Sequence, residues 1–101
     1  MLNKMKKETS IFNWSAIPLI SDNVVFRDDE NGMLIFQIHT DEMYFVSNET
    51  YAIIQKCNGA NTCDDIVSGI MGQSKMTPTE IQSFFIKFIE NLIERKIIEL
   101  L

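Results

Sequence analysis

The sequence predicts an α+β domain in which a three-stranded antiparallel sheet is followed by three helices. Three observations carry this expectation. Runs rich in β-branched and aromatic residues, separated by turn residues, occupy the first half. After Asn48 the apolar residues recur at helical spacing. Three segments of the second half open on residues suited to capping helices. Strands gathered ahead of helices indicate α+β rather than alternating α/β architecture.

Residues 1–15 are polar and mixed, with isolated Ile11, Phe12 and Trp14, and read as a flexible arm whose Trp14 docks on the domain. Residues 16–101 form the single domain. Pro18 has no backbone donor and disfavours helix just before it. Asn23 to Arg27 is the first strand. Asp28-Asp29-Glu30-Asn31-Gly32 is a polar turn whose Asn-Gly end favours positive φ. Met33 to Ile38 is the second strand, His39 to Glu42 turns the chain, and Met43 to Ser47 is the third strand. Short turns make the three a meander.

The first helix is capped by Ser47 or Asn48, carries Ala52, Ile53, Ile54 and Cys57, and is expected to end at Asn58-Gly59. Thr62 caps the second, with Asp64 and Asp65 in its first turn, where negative charge suits the helix dipole. Thr77-Pro78-Thr79-Glu80 opens the third as a capping box with proline at the first helical position. This helix runs to about Arg95. Ile97 to Leu101 follows as a short strand or a tail packed on the core. Two short helices before a longer one give a winged helix-turn-helix-like arrangement.

Composition removes several function classes. A net charge of −5 disfavours nucleic-acid binding, which needs a positive field at the phosphates. The one basic cluster, Lys4, Lys6 and Lys7, lies in the arm. No apolar run has the length of about 20 residues that spans a bilayer, and no apolar segment of a secretory signal follows the N-terminal lysines. Cys57 and Cys63 do not make a disulfide framework and match no zinc spacing. The expectation is a reduced, cytoplasmic protein without cofactor or metal. His39, the only histidine, reads as a solvated turn residue rather than a base. Cys57 reads as a buried small hydrophobe. Cys63 is expected to be more exposed, at a helix start that favours a thiolate. No catalytic constellation appears, so the chain is read as a binding protein and not an enzyme.

The last helix and the third strand carry the functional signal. Ile81, Phe85, Ile89 and Leu92 form one compact stripe, which Phe84 and Phe88 extend on one flank and Ile86 and Ile93 on the other. The arc is about 200°, where a surface helix needs roughly 100°. Phe84 lies at its edge beside Lys87 and Asn91, an apolar flank with a polar border, as in a peptide groove. The third strand is a sheet edge, and Met43 to Ser47 contains no proline or lysine to blunt it.

From Pro18 to Leu100 the chain resembles the PqqD-like family, also called the RiPP recognition element. The matching pieces are Pro18-Leu19 with Val24 to Arg27, the Gly32 turn, Ser47-Asn48 closing the third strand, Thr50 with Ala52-Ile53-Ile54, Asn58-Gly59 before Thr62, Asp65-Ile66-Val67, and Phe88 to Ile98. The chain departs from the pattern at Asn58, at Val46 and at Lys96, where the family often has glycine. The resemblance implies that the leader segment of a ribosomally made precursor peptide adds as a strand beside the third strand and lies against the last helix. It further implies presentation of that precursor to a maturation enzyme, often a radical SAM protein. On this reading Tyr44, Phe45, Val46 and Ser47 pair with the leader backbone, and Phe84, Lys87, Phe88 and Asn91 line the other wall. Which side chains of the third strand face the groove stays open.

Two other readings remain at this level. A winged-helix DNA-binding domain would share the topology, but the last helix sets Lys87, Arg95 and Lys96 against Glu80, Glu90 and Glu94. A dimerisation module would pair two edge strands, so a monomer or a weak homodimer is expected.

Overall fold

The computed structural model describes residues 12–101; the first eleven residues of the expected arm lie outside this range. Eight elements follow in order: β1 (Pro18–Ile20), β2 (Val24–Asp29), β3 (Gly32–Gln37), β4 (Glu42–Ser47), α1 (Asn48–Gln55), α2 (Cys63–Met71), α3 (Pro78–Glu94) and β5 (Ile98–Leu100). The meander β2-β3-β4 is antiparallel, with Val24 opposite Gln37 and Gly32 opposite Ser47. The three helices follow it, as expected. The structure adds a two-stranded antiparallel sheet, β1-β5, with Pro18 opposite Leu100.

Local chemistry sets the helix starts. The Ser47 hydroxyl accepts from Thr50 N at 3.2 Å. Thr62 and Asp65 form a reciprocal capping box, and so do Thr77 and Glu80, each satisfying two backbone donors that a helix start leaves unpaired. Carbonyls from the preceding segment take two more at α2: Cys63 N donates to Ala16 O and Asp64 N to Trp14 O, both at 2.9 Å.

The core lies between the inner face of the meander and the helices. Ile35 and Met33 from β3, Ile54 from α1, Ile66 and Val67 from α2, and Ile81, Phe85, Ile89 and Leu92 from α3 are all buried. Phe12 and Trp14 pack against it, Trp14 stacking on Phe85 at a centroid distance of 5.9 Å. The buried polar side chain Gln37 is satisfied at both ends. Its amide donates to Lys96 O at 2.5 Å, and its carbonyl accepts from His39 N at 2.8 Å.

Three local expectations change, and the last helix ends near Arg95 as expected. Asn31-Gly32 does not adopt positive φ; among the described residues only Asp41, Lys96 and Gly59 do. Glycine is required at position 32 because a Cβ there would sit 2.2 Å from Val46 O and 2.7 Å from the Phe45 ring. Gly59, at φ 82°, does not cap α1, which ends at Gln55 with Lys56 as its C-cap. It turns the chain beside β1, where its N–H donates to Pro18 O at 3.0 Å. Lys96 takes the left-handed conformation (φ 60°) that closes α3, and Ile97 N donates back to Leu92 O. Finally, Cys63 is buried, not exposed. Burial raises its thiol pKa, so desolvation outweighs the pull of the helix start toward the thiolate. Cys57 is pushed up further, to about 12, by burial and by the neighbouring Cys63.

Candidate peptide-binding site

Within the meander β4 pairs only with β3, so among the described residues its outer row of backbone groups meets no other strand. Side-chain alternation along β4 resolves the parity that the sequence left open. Tyr44 and Val46 are half-buried and pack against the core, on the side of the helices. Met43 and Phe45 point to the other face and are 57% and 52% exposed. The Phe45 ring reaches back over Gly32, toward β3 and away from the open edge. The Phe45 side chain therefore lies on the face of the sheet away from the core. Ser47 spends its hydroxyl on the start of α1.

The other element expected at the site is α3. At about 100° per residue, Phe84, Phe88, Asn91 and Arg95 fall within about 60° of one another, beside the buried stripe of Ile81, Phe85 and Leu92. Phe84 is 43% exposed and lies nearly parallel to Phe88, with centroids 5.6 Å apart. Phe88 rests on the core edge and also contacts Phe85. Lys87 is fully outward, on the solvent flank of this stripe.

One group links the two elements. Arg95 Nε donates to Asn91 Oδ1 at 2.8 Å, and the guanidinium lies over the Tyr44 ring at 4.3 Å. The Tyr44 hydroxyl in turn donates to Glu42 Oε1 at 2.5 Å. That hydrogen bond holds the Glu42 carboxyl below its ordinary pKa, helped by Thr40 and by the Arg95 charge, and raises that of the Tyr44 phenol. Arg95 and Glu42 were not among the site residues expected from the sequence. The signal for Arg95 was present: it follows Phe84 by eleven residues and Phe88 by seven, so it falls on the same helical stripe. The signal for Glu42, two residues before Tyr44 on one strand face, depends on knowing the parity.

Along this flank Phe84 and Phe88 are apolar, and the Arg95–Tyr44–Glu42 cluster is polar. A separate cleft of about 660 Å³ lies between α1 and α2, lined in part by Ala52, Ile53, Ile66 and Ile70, with no residue of β4 or α3 in its walls.

No family model matches the sequence, and no curated protein matches it. Solved structures do match the fold. One is described as lasso peptide synthetase B1 complexed with the leader peptide; it aligns with a TM-score of 0.73 at 12% identity, covering 83% of this chain and 99% of that one. Another is described as TbiB1 in complex with the TbiA(beta) leader peptide, with a TM-score of 0.71 at 16% identity, covering 80% and 94%. The chain has the fold of these leader-bound proteins. It is the fold that the resemblance to PqqD-like proteins implied, although so little sequence is shared. No helix of the described residues is long and apolar enough to cross a membrane.

Proposed function

We propose that this protein binds the leader segment of a ribosomally synthesised precursor peptide by strand addition to β4, with α3 as the second wall, and presents the precursor to a modifying enzyme. Residues 16–101 are the binding domain on this reading. The observation that carries it is the coincidence of an unpaired strand edge with an exposed, stacked phenylalanine pair on the facing helix. Either feature alone is common. Together they offer backbone groups for register and side-chain contacts for specificity. The two solved structures above share the fold and hold leader peptides, which supports the same use of this chain.

Tyr44, Phe45, Val46 and Ser47 contribute backbone groups, while Phe84, Phe88 and Asn91 contribute side-chain contacts. Lys87 lies on the rim, where an ion pair with the peptide is worth under about 1 kcal/mol. The protein acts by binding and delivery rather than by catalysis. The resemblance points to a radical SAM enzyme as one kind of partner.

The test is affinity for synthetic leader peptides, taken from short precursors encoded near the gene, measured by fluorescence anisotropy. Wild type is expected to bind one of them. Phe84→Asp is expected to lose most of that affinity while keeping its fold. Equal binding by Phe84→Asp and wild type would exclude α3 as a wall of the site.

A further inference from the structure

The proposed groove has a chemical polarity that specifies its ligand further, provided that it receives a peptide strand. On the stripe of α3 that borders the groove, the apolar contacts sit at Phe84 and Phe88, the cationic group is Arg95, and Glu80 at the other end is committed to the Thr77 cap. The guanidinium is half-buried and already oriented, with one face on the Tyr44 ring and Nε committed to Asn91. A guanidinium has five N–H donors, and Asn91 takes only the one at Nε. Glu42, the acidic group nearest on β4, accepts instead from the Tyr44 hydroxyl. A planar guanidinium fixed in this way suits bidentate capture of a carboxylate.

For an added strand that runs along the α3 axis, the spacing follows from the rise per residue of the two elements. Phe84 and Phe88 lie eleven and seven residues before Arg95, which is about 17 and 11 Å along a helix axis. Their midpoint is thus about 14 Å from Arg95, the length of about four residues in an extended strand. Only alternate residues of an added strand face the groove, so an even spacing is required. We infer that the bound segment carries, on its groove face, a bulky apolar side chain against Phe84 and Phe88 and an Asp or Glu about four residues away against Arg95.

This inference rests on the strand-addition reading, and one experiment separates the two. Short synthetic peptides long enough to span the groove are prepared with a single Phe and a single Glu, two, four or six residues apart in both orders. Each has a counterpart with Gln in place of Glu. Anisotropy gives affinities, and the backbone amide spectrum of labelled protein reports whether β4 is the site. The expected result is that the four-spaced Glu peptide perturbs β4 and binds about tenfold tighter than its Gln counterpart, the scale of a charge-assisted hydrogen bond at a partly buried site. Arg95→Gln should abolish that preference, so that the Glu and Gln peptides bind it alike. Arg95→Lys, which keeps the charge but not the fork, should restore only part of it. Peptides that perturb β4 with no preference for Glu, or with a preference that survives in Arg95→Gln, overturn the carboxylate assignment and leave strand addition standing. Peptides that never perturb β4 overturn both.

Discussion

The chain contains two short antiparallel sheets whose edges are treated in opposite ways. In the β1-β5 ribbon, the outer side of β1 is occupied. Ile20 N donates to Cys57 O, Gly59 N donates to Pro18 O, and Leu19 bridges Asn58. The ends are tied by Ser21 N to Ile97 O and Leu101 N to Ile17 O. In the larger sheet, β4 offers a row of six residues whose outer side no other described strand pairs with. Unpaired edges invite association, and proteins commonly blunt or cover them. Here the short ribbon is closed by its own loop, and the long edge stays open beside an apolar helix flank. The other edge of the meander, β2, likewise meets no other described strand, so what distinguishes β4 is the link from Tyr44 to Arg95 at the end of α3 and the apolar flank that α3 carries.

That contrast can be broken or sharpened by substitution. The largest effect separates the wall of the open edge from the core behind it. Phe85→Ala removes a fully buried ring on which Trp14 stacks, and should cost about 3–5 kcal/mol in chemical denaturation. Phe84→Ala, one residue earlier, should change stability by less than about 0.5 kcal/mol while weakening peptide binding. Similar stability losses for both would make Phe84 a core residue and close the groove.

Next come two glycines, one in β3 and one in the loop beside β1. Gly32→Ala drives a methyl against Val46 O and should destabilise by about 1–3 kcal/mol through overpacking, with loss of β3-β4 pairing seen as faster amide exchange in β4. Gly59→Ala puts a side chain at φ 82° beside Leu19, costing about 1–2 kcal/mol, and its exchange changes should stay near the β1-β5 ribbon. Lys96→Gly acts in the other direction. It relieves a left-handed residue without disturbing the Lys96 carbonyl that Gln37 holds, and should raise stability by about 1 kcal/mol.

The smallest effect concerns Glu42. Its carboxyl is held below the ordinary value first by the Tyr44 hydroxyl. A depressed carboxylate pKa gives a stabilising contribution that is present above the unfolded-state value and lost as pH falls through the folded-state value. Tyr44→Phe should therefore bring the Glu42 titration, followed by carboxyl carbon NMR shifts, up toward the ordinary range. An unmoved titration would mean that the Tyr44–Glu42 contact does not persist in solution.

How much of this was legible in the sequence depends on how local each cause is. The caps Thr62 and Thr77, with Pro78 and Glu80, act within one helical turn, and they mark their helices without tertiary information. The meander was legible because its turns are short. β1 was not, because its partners are β5 at the other end of the chain and a loop around Asn58. Gly32 was legible as a glycine position but for the wrong reason: the cause is a carbonyl on the neighbouring strand. Cys63 reads as exposed from its place at a helix start, yet the chain around Ala16 covers it. At the candidate site, Phe84 and Phe88 stood out because apolar excess on a helix is a periodic signal. Arg95 was hidden by its place at the helix end, where a basic residue also has the ordinary role of complementing the dipole. The facing of Tyr44 and Val46 needed the register of β4 against β3.

The central claim is that β4 is a docking edge with α3 as its second wall. Titration of isotope-labelled protein with leader peptides from neighbouring precursor genes, followed by amide chemical shifts and intermolecular NOEs, tests it most directly. The expected result is that shifts concentrate on Met43 to Ser47 and on Phe84 to Arg95, with backbone NOEs placing the peptide as a strand beside β4. Shifts confined to α1 and α2, around the cleft lined by Ile53 and Ile66, would contradict it.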